Sequence, residues 1–160
     1  MTDSTLATET SNDTIIPTPE SVLGRYSNFG DLILRAGAGL FLVPHGAQKL
    51  FGSFGGYGLE ATGQFFETQL GFSNGYLAAL GAGSVEFFGG ILLAAGLFTR
   101  SASIAIFIML AVATSVHVGA GFFWTSGGYE YPLLWALIAL SFAVRGGGNY
   151  SVDKVLGLKF

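Results

Sequence analysis

Six ionisable side chains stand inside stretches that are otherwise apolar or glycine-rich: Arg35, His45, Lys49, Glu86, His117 and Glu130. Such groups can hold a proton, pair with an opposite charge, ligate a metal or hydrogen-bond a polar ligand. Among lipid tails each one needs a partner or a purpose. Their spacing narrows the chemistry. At 100° per residue, Arg35 and Lys49 fall within about 40° of one another on a helix, with His45 about 40° further round, so one face carries all three. Ala79, Gly83, Glu86 and Gly90 share an arc of about 60° by the same arithmetic. Small residues beside a carboxylate mark a face that packs closely on another helix. Glu86 is therefore expected to meet the first helix through Arg35 or His45, with Arg35 and Glu86 as the structural pair inside the membrane.

Blander roles compete for the others. Arg35 and Lys49 can snorkel to headgroups, and Glu130 can favour a helix N-terminus by its charge. His117 can sit in interfacial water, and Pro44 can do no more than remove a hydrogen bond to the Leu40 carbonyl. His45 and His117 differ in depth by several ångströms, which disfavours a shared haem. No local ligand spacing supports a metal, so no metal site is assigned. The absence of cysteine removes disulfides, thiolate ligation and CxxC redox chemistry from this chain. The loop Gly52–Gly58 lacks the arrangement that cradles phosphates after a strand.

The elements that must position these residues follow from composition. The chain of 160 residues is 51% hydrophobic and 11% charged, against about 25% charged in a soluble domain. So few charges cannot cover a water-facing surface, and lipid is the expected solvent for much of the molecule. At about 20 residues per crossing, four spans are expected near residues 31–51, 75–97, 101–118 and 130–144. The fold class is all-α, an integral membrane four-helix bundle. A short interfacial helix is expected over Leu59–Leu70 and a tail helix over Ser151–Leu158, with Ser73 and Asn74 as caps for the second span and a tight turn at Thr99–Arg100. Residues 1–24, rich in Ser, Thr and carboxylates, read as a disordered cytoplasmic tail ahead of one membrane domain over residues 25–160.

Basic residues are unevenly shared between the two ends. Arg25, Arg100, Arg145, Lys154 and Lys159 fall on one side and Lys49 on the other. The rule that cytoplasmic loops are basic then places both termini in the cytoplasm, with the glycine-rich loops outside. A net charge of −3 with no basic run argues against nucleic acid as a partner. The lipid bilayer is the expected one.

Three segments carry a resemblance: LRAGAGLFLVPHGAQKLFGSFGG at 34–56, GAGSVEFFGGILLAAGLFTR at 81–100 and GGYEYPLLWALIAL at 127–140. The combination resembles the DoxX family of small bacterial membrane proteins, over roughly residues 29–156. The resemblance implies a four-helix membrane fold in the bacterial inner membrane and an association with quinone-linked respiratory chains. The related DoxD proteins look like subunits of a thiosulfate:quinone oxidoreductase. Whether this chain is itself an enzyme stays open. The positions matching the family's motifs are His45, Lys49, Glu86, Tyr129 and Glu130, and with His117 they form the candidate quinone or ligand site. The expectation is a membrane subunit of a redox assembly working with other subunits and binding a quinone. The alternative is a non-catalytic accessory or assembly protein of a larger membrane complex.

Overall fold

The computed structural model describes the backbone of residues 19–158 and the side chains from Tyr26 onward. The tail expected over residues 1–18 lies outside the described residues. Among the described residues every regular element is a helix: α1 (Pro19–Phe51), α2 (Gly58–Leu70), α3 (Gly75–Ala95), α4 (Thr99–His117), α5 (Glu130–Arg145) and α6 (Val152–Val155), with short 3-10 turns between. Helix α1 starts at Pro19, so residues 19–24, expected in the tail, are helical. A proline at the first helical position gives up an N–H that has no partner there anyway. The helix also runs through Pro44 without ending, on a face that is exposed at both Leu40 and Pro44.

Glycine sets how the helices meet. A Cβ on Gly90 would lie 2.7 Å from the Gly39 carbonyl oxygen, and one on Gly46 would overlap the Phe87 backbone. The α1 and α3 backbones therefore touch, with the buried face Ala79–Gly83–Glu86–Gly90 turned inward as its spacing predicts. Ala38, Leu42, Leu93, Ile106, Leu110, Ala136, Ala139 and Phe142 close one apolar core among α1, α3, α4 and α5. Helices α1 and α5 also meet through the rings of Phe41 and Trp135, 5.9 Å apart, and an ion pair of Asp31 with Arg145 at 2.8 Å.

The short helices act as clamps. Gly63 on α2 seats against the Tyr76 backbone, and the Glu67 carboxylate accepts from the Gly75 amide at 2.9 Å. Asn74 caps α3 as expected, accepting from the Leu77 amide at 3.0 Å. The turn between α3 and α4 falls at Gly96–Phe98 rather than Thr99–Arg100, which belong to the first turn of α4. Gly96 (φ 72°) and Phe98 (φ 49°) both take left-handed backbone there. Pro132 falls in the first turn of α5, as its chemistry predicts.

Two stretches are long and apolar enough to cross a membrane, Gly75–Ala95 and Thr99–Ala120. Only 33% and 22% of their apolar windows are buried within the protein, whereas the core helix of a soluble protein would be mostly covered. Phe41, Leu77, Ile108 and Leu137 are all more than half exposed, an apolar surface too extensive to face water. Helix α5, at 16 residues, spans about 24 Å, and α1 carries Arg35 and Lys49 within its apolar stretch.

Candidate functional site

Glu86 meets the first helix through Lys49. The Lys49 ammonium donates to both carboxylate oxygens, at 2.9 and 2.7 Å. The side chains are 24% and 10% exposed, so the pair is largely withdrawn from solvent. This corrects the expected Arg35–Glu86 pair and the outward snorkelling of Lys49. The physical reason lies in the direction of side chains. Each Cα–Cβ bond tilts toward its own helix N-terminus. On antiparallel helices Lys49 therefore leans inward along α1 while Glu86 leans outward along α3. Contacts of Gly46 with Gly83 and Phe87 set the register so that the two stems converge. Depths reckoned from Cα positions placed them too far apart.

Glu86 sits in a π turn, Val85–Gly89, inside α3. Such turns insert an extra residue into a helix and are frequent at functional sites. Phe87, in the same turn, packs its ring edge on Phe51 of α1 at 5.3 Å. His45 lies one turn before Lys49 on α1, exposed, with no hydrogen bond among the described residues.

Arg35 has a different answer to its burial. It is 1% exposed, and its guanidinium donates to the carbonyls of Leu93 at 2.6 Å, Ala94 at 2.7 Å and Tyr150 at 2.7 Å. The first two are carbonyls of the last turn of α3, where intrahelical amides run out and the negative end of the dipole lies; Leu93 also accepts from the Gly96 amide at 3.1 Å. A cation there needs no carboxylate. The nearby Asp153 is the counter-charge at longer range.

Asp153 was not singled out from sequence. Its carboxylate accepts from the Phe98 amide at 2.7 Å, the Thr99 amide at 2.9 Å and the Thr99 hydroxyl at 2.6 Å. Its own amide donates to the Gly96 carbonyl at 2.8 Å. Burial pushes the Asp153 carboxyl up, but the Thr99 hydroxyl, the two amides and the Arg35 charge together hold it below its ordinary value. The segment after α5 thus latches the turn between α3 and α4. Ser151 hints at this in sequence, being a cap residue just before a short helix, and it does accept from the Lys154 amide at 3.2 Å. Nothing in the spacing points to Thr99 as the distant target.

The remaining expected site residues organise the loop between α4 and α5. His117 shares a 2.7 Å hydrogen bond with the Gly127 carbonyl, and Glu130 accepts from the Trp124 amide at 3.2 Å. Tyr129 sets its ring edge-on to Phe122 at 5.5 Å, while Tyr131 stacks on Trp124 at 5.2 Å. No hydrogen bond, ion pair or ring contact among the described residues joins this set to Lys49, Glu86 or His45. The structure builds two polar groups where the sequence suggested one.

Among the described residues the regular structure is all helical, and two apolar, outward-facing helices together with the family match below mark a membrane protein. It belongs to the DoxX family, whose model matches residues 30–120. A protein of Haemophilus influenzae, described as uncharacterized, is 36% identical over 105 residues, which cover 60% of this chain and 78% of that protein. No solved structure matches. Arg35, His45, Lys49 and Glu86 lie within the family match, and Asp153 and Tyr150 lie beyond it.

Proposed function

We propose that this chain is a multi-pass subunit of a redox or respiratory-chain-linked assembly in the bacterial cytoplasmic membrane, and that a quinone headgroup docks beside Lys49, Glu86 and His45. In this reading α1, α3, α4 and α5 each cross the bilayer, with the N- and C-terminal sides cytoplasmic. The gathering of Arg100, Arg145 and Lys154 at one end of the bundle supports that orientation.

The observation that carries the reading is the Lys49–Glu86 pair held at a π turn next to an unpartnered histidine. Quinone carbonyls accept hydrogen bonds, which His45 and Lys49 can donate. Reduction to quinol takes two electrons, supplied by a redox-active partner subunit, and two protons, which Glu86 can relay. Irregular turns of this kind recur at functional sites. The direct test is saturable binding of a short-chain quinone to protein purified with native lipids. His45→Ala and Glu86→Gln should each weaken binding about tenfold, while Glu130→Gln should change it little. Wild-type protein that binds no quinone would sink the site.

The accessory reading has its own support. Lys49 and Glu86 satisfy each other, and His117 and Glu130 are spent on loop backbone, as in a scaffold that presents a shaped surface to larger subunits. Co-purification with such subunits in the absence of any quinone binding is its signature.

A further inference from the structure

A second polar site lies at the opposite end of the bundle, in a cleft of about 290 Å³ lined by Arg100, Arg145, Gly147, Gly148, Asp153 and Lys154 among others. Its charges are unequally employed. Arg145 is paired with Asp31 at 2.8 Å and lies over the Phe142 ring at 5.1 Å. The Asp153 oxygens are filled by the amides of Phe98 and Thr99 and the Thr99 hydroxyl. Arg100 and Lys154 have no hydrogen-bond or ion-pair partner among the described residues. The Arg100 guanidinium is held over the loop, its Nε 3.3 Å from where a Cβ on Gly146 would be. The amides of Gly147 and Gly148 likewise have no acceptor among the described residues.

Among the described residues, two cations and two amides without partners line one concavity whose described carboxylate, Asp153, is already saturated, and together they form an acceptor-seeking site. Arginine and backbone amides suit the oxygens of a phosphate group, and the ammonium of Lys154 adds a point charge. A Cβ on Gly148 would meet nothing within 4 Å, whereas Gly147 seats closely against Thr99 and Ser151, so glycine at both positions keeps side chains out of this part of the cleft.

We propose that this cleft binds a phosphate-bearing anion, and that its source is the headgroup of an acidic phospholipid in the cytoplasmic leaflet. The choice of lipid over free phosphate rests on the four-span orientation proposed above, which sets the cleft at headgroup level. The anion site itself does not depend on that orientation.

The full chain in detergent is titrated separately with dihexanoyl phosphatidylglycerol, dihexanoyl phosphatidylcholine and inorganic phosphate, followed by thermal shift and by lipid retention in native mass spectrometry. Phosphatidylglycerol should bind at least tenfold more tightly than phosphatidylcholine, with affinity falling as salt rises. The double variant Arg100→Gln/Lys154→Gln should lose that preference. Both substitutions remove side chains without partners, so folding is expected to survive, and unchanged melting of the unliganded variant verifies this. Inorganic phosphate binding as tightly as phosphatidylglycerol would keep the site and overturn the lipid as its source. Equal binding of the two lipids without phosphate binding, or a preference untouched in the double variant, would overturn the site. Binding in detergent does not depend on topology, so these failures are distinct from a wrong assignment of which end faces the cytoplasm.

Discussion

Arg35 and Lys49 are both cations on α1 within its apolar stretch, yet they are neutralised by opposite means. Lys49 faces a carboxylate, which can gain or lose a proton. Arg35 faces three carbonyl oxygens, which cannot. The first arrangement rests on an ionisable partner, and the direct contacts of the second are to groups that carry no proton to exchange. The difference teaches that a buried charge is not by itself a functional signal. What it pairs with decides whether the site can switch.

The comparison breaks most severely at Arg35. Arg35→Gln removes the guanidinium bonds to the Leu93, Ala94 and Tyr150 carbonyls, leaving Leu93 only its bond from the Gly96 amide, and hydrogen bonds to a charged group contribute about 1.5–3 kcal/mol each. Thermal unfolding in detergent should show a loss of about 3 kcal/mol or more, or the variant should fail to accumulate. Arg35→Lys should recover little, because one ammonium cannot reproduce the planar fork. If Lys at this position melts like wild type, the fork geometry is irrelevant and the contrast with Lys49 collapses.

At the second cation the single and double variants should diverge. Leaving one member of a buried pair alone costs more than replacing both. Glu86→Leu and Lys49→Met are each expected to destabilise by about 1–3 kcal/mol, and the two combined by less than the sum of the single losses. Additive losses in that cycle would show that the pair contributes nothing as a pair.

The mildest effect sharpens the comparison through pH. The Asp153 carboxyl is lowered from its ordinary value near 3.8 by the bonds it accepts and by Arg35. Its stabilising contribution is present above that ordinary value and disappears as pH falls through the lower folded-state value. Wild-type protein should therefore lose part of its thermal stability on acidification below about pH 4, where the carboxyl begins to take up protons. Asp153→Asn should be less stable at neutral pH and flatter across this range. Parallel curves for the two proteins would remove Asp153 from the latch.

Helix positions were largely legible in the sequence because apolar runs, caps and glycine spacing are local properties. The buried arc of Ala79, Gly83, Glu86 and Gly90 followed from angles alone. The partner of Glu86 did not, because pairing depends on helix register and on opposed side-chain tilts, which a single helix cannot reveal. The π turn at Val85–Gly89 left no mark either. Gly89 and Gly90 weaken the α-helix locally, but glycine in a helix fits close packing as well as a π turn, so the residue types alone do not specify it. Asp153 was overlooked because its targets lie 54 and 55 positions away. The tail helix that carries it could be expected, but not where it docks.

The guanidinium of Arg35 has consequences for the timing of assembly. Its contact with Tyr150 spans 115 residues of chain. At roughly 5–20 residues per second of synthesis, that partner emerges about 6 to 23 seconds after Arg35. The Leu93 and Ala94 carbonyls arrive roughly midway through that interval. A nascent chain therefore carries a half-satisfied arginine while the later helices are still being made, and the antiparallel pairing of α1 with α3 is the earliest step that can shelter it. Every residue of the close glycine seam between those two helices is synthesised before α4 and α5.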